Sequence, residues 1–318
     1  MPTLNPGILK SQAKTRLQDQ DASTLVLIHT GVLLSLSLIA SAINLYLNDQ
    51  ISTTSGLSGL GVRSILQSLQ AFLQYGTTLF SPFWQAGFTL AVLHLARGIS
   101  ASRKDLLGGF RRWSAVLSLQ LFTMMLLFGA VIACGYLAAM IFTFTPFAEP
   151  LAQALEPMLA SGSIDMAAIA SDVILDAYVP FFAIYLLILI PVVLFWTLSI
   201  RLSNYLILDQ KMGGFIAIHF SMVAMRGNRM KMLKLDLSFW WYYLIEILLS
   251  IVCYLDVILP LLGIHLPFNE TMAFFAALIL YGVLELAFHY WKKPYHDVTY
   301  ALAYQEILHS LEIPKESH

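Results

Sequence analysis

Residues 225 to 241 read MRGNRMKMLKLDLSFWW, which places four basic side chains within nine positions and two tryptophans directly after them. Tyr242 and Tyr243 extend the aromatic pair, and a long apolar run follows. Tryptophan and tyrosine concentrate at the boundary between membrane and water, while Lys and Arg are retained on the cytoplasmic side of a membrane. The stretch therefore predicts the cytoplasmic entrance of a membrane span.

The composition of the whole chain agrees with a membrane setting. Of 318 residues, 58% are hydrophobic and 12% are charged, which is about half the charged fraction of a soluble domain. The formal net charge of -1 gives no basic field for nucleic acid,. Cys134 and Cys253 lie in separate apolar runs, so their positions indicate neither a disulfide framework nor a zinc motif,.

Six apolar stretches are long enough to cross a bilayer, which takes about 20 residues as a helix. They cover residues 24–47, 80–97, 113–143, 179–200, 239–260 and 272–291. The prediction is an all-α fold, a six-helix transmembrane bundle with short amphipathic external helices. It consists of a cytoplasmic N-terminal segment (1–23), the six-span domain (24–291) and a cytoplasmic C-terminal tail (292–318).

The basic residues fix the predicted orientation. With these spans, 17 of the 18 Lys and Arg residues fall on one side, and only Arg63 falls on the other. Because basic loops stay inside during insertion, both termini are predicted in the cytoplasm of a cell with a cytoplasmic (inner) membrane. A signal peptide cleaved near Ala40-Ser41-Ala42 is the competing interpretation of the first span.

Two segments on the predicted outer side have helical patterns. Residues 62–80 are expected to form either an interfacial helix or the start of a long second span bent near Pro82. Residues 147–178 are expected to form one or two short amphipathic helices.

The basic cluster in the opening stretch has two interpretations. It consists of Arg226, Arg229, Lys231 and Lys234. The side chains either determine topology and snorkel to the interface, or they contact anionic lipid.

The same region carries a resemblance to a known family. Ser221, Met225, Gly227, Asn228, Leu233, Leu235, Asp236, Leu237, Ser238 and Phe239 resemble the signature of a bacterial family of multi-pass membrane proteins, the domain-of-unknown-function family 975. Gly87-Phe88, Asp105 to Phe110, Asp209 and Pro294-Tyr295 resemble other family positions in the same order. Trp240-Trp241-Tyr242 departs from the family pattern. The resemblance implies an integral membrane protein without an established reaction.

Soluble catalytic motifs are absent from the sequence. There is no phosphate-binding glycine loop, His-Glu-x-x-His or Gly-x-Ser-x-Gly,. We therefore expect no enzyme activity and no cofactor.

Ionisable residues inside the predicted spans are the best indications of a site, because charge at membrane depth is costly. They are Glu246, Glu285, His289, His29 and His94. At about 1.5 Å of rise per residue, all five lie roughly 5 to 11 Å below the inner interface, so one cluster is possible. Such a cluster suits a proton relay or a divalent cation. The alternative is that the carboxyl groups are packed between helices and the histidines are functionally silent.

Two classes of function follow from these observations. The first is a non-enzymatic accessory or scaffold protein that contacts lipids, a membrane protein partner or a second copy of itself. The second is a transporter or channel for a small solute, proton or divalent cation. The sequence slightly favours the first, because dedicated transporters usually have clearer broken helices or repeats near the midplane.

Overall fold

A computed structural model describes residues 4–18, 22–53, 59–161, 171–261, 263 and 270–311. All regular structure within these ranges is helical, with no strand, which confirms the all-α prediction. The N-terminal half contains α1 (Pro6–Gln18), α2 (Ala22–Thr53), α3 (Gly59–Ala96), a 3-10 turn (Arg103–Leu107), α4 (Gly108–Arg111), α5 (Trp113–Phe142) and α6 (Ala148–Ser161). The C-terminal half contains α7 (Ser171–Ile200), α8 (Ser203–Asp209), α9 (Gly214–Ala224), α10 (Arg229–Ser238), α11 (Trp240–Val252), α12 (Leu255–Leu261) and α13 (Glu270–Ser310).

Within the described residues, five helices are long and apolar enough to cross a membrane, and a bent helix pair makes a sixth if it is counted as one span. The five include α2, α3, α5, α7 and α13, and the bent pair is α10 with α11. The protein is thus a multi-pass membrane protein, with the fifth span in a different form from the one predicted.

The predicted fifth span, 239–260, is not a single straight helix. α10 and α11 meet at Phe239 with a bend of 63°, and a short turn at Cys253 and Tyr254 separates α11 from α12. The Phe239 side chain is fully buried, and its ring contacts Tyr295 and His296 edge-on. The chain turns at Phe239 because this ring is anchored on α13.

The second predicted span is much longer than expected. α3 runs from Gly59 to Ala96 with Pro82 inside it, which matches the alternative of a long span and not that of a separate interfacial helix. Residues 54–58 lie outside the described ranges. On the predicted outer side, α6 provides one short helix between 147 and 161, and residues 162–170 lie outside the described ranges.

The chain forms two compact units. The smaller unit, residues 119–201, holds most of α5 together with α6 and α7. Phe142 packs edge-on against Phe181, with ring centroids 5.9 Å apart. A small, mostly apolar cavity of about 140 Å³ lies between α5 and α7, where Thr123 and Trp196 contribute to its lining.

The larger unit comprises residues 1–118 and 202–318 and is built on α2, α3 and α13, which pack against one another. The turn from Ser102 to Arg111 folds back onto α3 at very short range. A Cβ at Gly87 would lie 1.8 Å from the Leu106 carbonyl oxygen, and one at Gly109 would lie 1.9 Å from the Phe83 carbonyl oxygen. Only glycine permits this backbone contact.

Two terminal elements complete the larger unit. α1 packs on α13 through the buried Leu9 and Ala13. Lys10 donates to the Ser238 carbonyl at 2.6 Å and lies 4.0 Å above the Phe239 ring, and partial burial lowers the pKa of Lys10 below its ordinary value. α13 continues past Lys292 to Ser310, so the described part of the predicted tail is helical; residues 312–318 lie outside the described ranges.

Candidate functional site

A polar stripe runs along one face of α13. Tyr281, Glu285, His289, Lys293 and Asp297 follow one another at intervals of four residues. Side chains four apart on a helix lie one above the other. Of these five residues, only Glu285 and His289 are among the site residues predicted from the sequence, although the four-residue spacing of all five is visible there.

His289 is the centre of the site. Its Nε2 lies 2.7 Å from Glu246 Oε1 on α11, and its Nδ1 lies 3.2 Å from Thr30 Oγ1 on α2. Glu285 Oε1 is 3.7 Å from the same Nδ1. The carboxylate at Glu246 accepts a hydrogen bond, so the contact assigns a proton to Nε2. The imidazole thereby joins side chains from three helices.

Both protonation states of His289 have partners in this geometry. In the neutral ring, Nδ1 accepts from the Thr30 hydroxyl. In the charged ring, Nδ1–H can donate to the same hydroxyl, which accepts as well as donates, with the Glu285 carboxylate nearby as the counter-charge. Neither ring nitrogen of His289 therefore lacks a hydrogen-bond partner.

A cavity of about 310 Å³ lies beside His289, between α2, α3 and α13, and is partly open. His29, Ser37, Gln85, Tyr281, Glu285 and Lys293 contribute polar lining. His29 is only 2% exposed, and its ring stacks on Phe88 with centroids 4.1 Å apart. His29 is therefore held inside the protein and not in the wet interface.

Two buried polar atoms at this cavity lack a hydrogen-bond partner among the described residues. They are Nδ1 of His29 and Oε2 of Glu285. Tyr281 lies one turn before Glu285 on the same face of α13 and also lines the cavity. An unsatisfied buried polar group costs about 1–3 kcal/mol, and this cost calls for a polar ligand or water at the cavity.

Two carboxyl groups lie beside His289. Glu246 and Glu285 both contact it, and of these two only Glu285 lines the cavity. Lys293, the only lysine among the described residues that line the cavity, is already paired with Asp297 at 3.3 Å. A proton or a small cation near Glu246 and Glu285 reduces the electrostatic cost of two neighbouring carboxylates in a low-dielectric interior.

A second polar network lies further along α13. His296 Nδ1 is 2.8 Å from Asp297, and its Nε2 is 3.3 Å from the Tyr243 hydroxyl. Tyr243 and Tyr300 hydroxyls are 3.0 Å apart, and Tyr300 donates to Asp236. The sequence predicts Tyr243 only as an interfacial aromatic and gives no indication of this network.

A third network joins the ends of three helices. Arg97, just after α3, donates to Asp209 Oδ1 at 2.6 Å, and the buried Tyr304 of α13 donates to Asp209 Oδ2 at 2.9 Å. Tyr205 stacks on the Tyr304 ring at 5.0 Å. Asp209 at the end of α8 thus ties α3 to α13.

His94 lies apart from the His289 group. Its Nδ1 is 3.1 Å from Asp105 Oδ2, and the same carboxylate oxygen accepts from the Ser102 backbone N–H at 2.7 Å. His94 therefore supports the capped turn that packs on α3. The sequence predicted a shared depth below the interface, but depth does not specify the direction in which a helical side chain points.

The four basic residues of the opening stretch occupy different environments. Arg226 lies exposed in the turn between α9 and α10, and Lys234 is exposed on α10. Arg229 and Lys231 are half-buried. Among the residues that the structure describes, no group of three or more His, Cys, Asp or Glu is arranged to hold a metal ion.

Comparisons with known proteins give no further information on identity. No family model, no curated protein and no solved structure matches the chain. The resemblance to family 975 stays a prediction from the residues quoted above, without support from these comparisons.

Proposed function

We propose that this protein is a proton-linked transporter of a small cationic solute, with both termini in the cytoplasm and its site at Glu246, Glu285, His289 and His29. The observation that carries the proposal is the cavity at His289, where Glu246 and Glu285 both contact the imidazole and two buried polar atoms have no partner among the described residues. Ionisable residues at membrane depth that pair with one another are typical of ion and proton pathways.

The two carboxyl groups beside His289 explain why a proton and a cation would compete for the site. A cation bound at Glu285 compensates the negative charge, and protonation of His289 compensates it in the same way. Because both positive charges at once would repel each other over a few ångströms in a low dielectric, uptake of one favours release of the other. This competition is the elementary requirement for exchange.

The cavity restricts the solute to a small molecule. Its volume of about 310 Å³ is at the lower end of the range of about 300–1,000 Å³ for ligand pockets. The unpartnered Glu285 oxygen is an acceptor, so a solute with N–H donors fits better than one without. Guanidinium is a suitable probe, because it is permanently charged and its planar fork of donors matches a carboxylate.

The accessory or scaffold role expected from the sequence, membership of family 975, the inner-membrane location and a protein partner or second copy all stay predictions. No geometric observation favours the scaffold role over transport.

The test is flux in proteoliposomes loaded with a pH-sensitive dye. We expect external guanidinium to alkalinise the lumen when wild-type protein is present, and tetramethylammonium, which has no N–H donor, to do so much less. Glu285→Gln and His289→Gln should lose the response. Glu306→Gln is the matched control, because it makes the same change on α13 at a residue that does not line the cavity.

Two outcomes would overturn the proposal. One is that wild-type protein gives no cation-dependent pH change beyond that of empty liposomes. The other is that Glu285→Gln and Glu306→Gln transport equally well.

A further inference from the structure

α9 has an apolar face that no described part of the larger unit covers. One stripe of the helix is buried and contains Gly214, Ala217, Ile218, Ser221 and Ala224. The opposite side exposes Phe215 by 61% and Ile216 by 56%, together with Phe220 and Val223. His219 is exposed on the same side. No Lys, Arg, Asp or Glu occurs between Met212 and Met225, so this surface is unlike the water-facing side of a soluble helix.

α9 cannot be a membrane span. Its eleven residues reach about 16 Å at 1.5 Å per residue, about half of the roughly 30 Å hydrocarbon core. A base stands next to each end of the apolar segment, Lys211 before it and Arg226 after it. Because both ends carry charge, both stay near water, and the helix axis lies along the interface.

Hydrogen bonds fix which face of α9 is exposed. The Leu202 backbone N–H donates to Ser221 Oγ at 3.1 Å, and Ser203 Oγ donates to the Ala217 carbonyl at 3.5 Å. Both contacts lie in the buried stripe and join α9 to the start of α8. The apolar face therefore cannot rotate inward without breaking them.

We infer that α9 is an in-plane helix seated in an anionic phospholipid leaflet. Phe215, Phe220 and Val223 contact the acyl chains. Arg226 and Lys234, both exposed, contact the anionic headgroups, where each base contributes on the order of 1 kcal/mol of attraction. The absence of acidic residues from the apolar segment and the bases beside it match a lipid surface of negative charge.

The depth of the helix can be measured by spin labels in nanodiscs of phosphatidylglycerol and phosphatidylcholine. Single cysteines at Phe220, Val223 and Arg226 are introduced after Cys134→Ala and Cys253→Ala. Molecular oxygen collects among acyl chains and a water-soluble nickel chelate collects in water. We expect the oxygen-to-nickel accessibility ratio at 220 and 223 to exceed the ratio at 226 several-fold.

Nickel accessibility at 220 and 223 equal to that at 226 would place the face in water and overturn the inference. Low accessibility to both reagents would indicate a covering protein and would overturn it equally.

The contact with charged headgroups is tested by measuring how much phosphatidylglycerol co-purifies with the protein from mixed lipid. Arg226→Gln/Lys234→Gln should retain less than wild type, whereas Arg103→Gln/Lys104→Gln, which removes the same charge at two exposed positions, should not. Equal retention by both double variants would exclude the headgroup contact.

This inference does not depend on the transport proposal. Failure of the accessibility pattern leaves the site at His289 unaffected, and loss of transport leaves the position of α9 unaffected.

Discussion

Replacing Gly87 with alanine tests the closest backbone contact in the larger unit. The new Cβ would lie 1.8 Å from the Leu106 carbonyl oxygen, while ordinary van der Waals contact begins at 3.4 Å. The obstacle is backbone, so no side-chain rotation relieves it. α3 and the turn that follows it must separate by about 1.6 Å at this point, and the reciprocal contact between Gly109 and Phe83 opens with them.

Two opposing contributions determine the size of the effect. Alanine is a better helix former than glycine by about 1 kcal/mol in a helix interior. Overpacking of a close contact typically costs about 1–3 kcal/mol, and occasionally more. A steric overlap of this size with backbone atoms belongs at the upper end of that range. Gly87→Ala should therefore lower the free energy of unfolding by about 1–2 kcal/mol net.

Gly76→Ala is the matched control, because it makes the same change in α3 where no heavy atom lies within 4 Å of the new Cβ. Thermal unfolding in mild detergent should show a lower midpoint for Gly87→Ala than for wild type, and a midpoint at or above wild type for Gly76→Ala. Equal midpoints for the two variants would refute the claim that glycine is required by the contact with Leu106.

Three further predictions concern the polar networks. Asp209→Asn should destabilise the protein by about 1–3 kcal/mol, because it weakens the ion pair between the Asp209 carboxylate and the exposed Arg97,. Tyr304→Phe, which removes one neutral donor to the same carboxylate, should cost less in the same unfolding assay. His94→Gln should lower thermal stability while leaving guanidinium-dependent flux per folded molecule at the wild-type level, since His94 contacts Asp105 and does not line the cavity. Loss of flux in this variant would show that His94 belongs to the transport site. A double-mutant cycle of Glu246→Gln and His289→Gln should show a coupling of about 0.5–3 kcal/mol in unfolding free energy. The coupling should be larger than that between Glu285→Gln and His289→Gln, because the contact distances are 2.7 Å for Glu246 and 3.7 Å for Glu285. Additive effects of Glu246→Gln and His289→Gln would contradict the hydrogen bond between them.

Hydropathy and charge predicted the helical class and the positions of most spans, because a bilayer sets both the length and the polarity of a crossing segment. They did not predict the bend at Phe239. That residue is apolar and fits the run that follows it, and only its burial against α13 turns the chain. Long-range packing of this kind leaves no local pattern in the sequence.

For the site residues, the sequence predicts the depth in the membrane but not the direction in which each side chain points. Counting residues from the span ends predicts one depth for Glu246, Glu285, His289, His29 and His94. A separation of four residues on a helix also places Glu285 beside His289. The rotation of α3 about its axis is set by Gly87 and Trp84, which pack on the turn and on α2. This rotation points Gln85 toward the cavity and leaves His94 with Asp105. A single sequence gives no measure of such a rotation.

Three polar side chains of α13 have a buried atom without a hydrogen bond among the described residues, at Glu285, Asp297 and Gln305, and of these only Glu285 lines the cavity. Tyr304 and Tyr300 donate to Asp209 and Asp236, so their cost of burial is largely offset by partners on other helices. Glu285 instead lines a cavity and lies beside His289, which also contacts the second carboxyl group, that of Glu246. Packing alone would favour an apolar side chain or a complete set of partners there, as at Asp209, where both carboxylate oxygens accept hydrogen bonds. A carboxylate with one oxygen left unpartnered at the cavity wall is better explained by a cationic solute that completes its coordination.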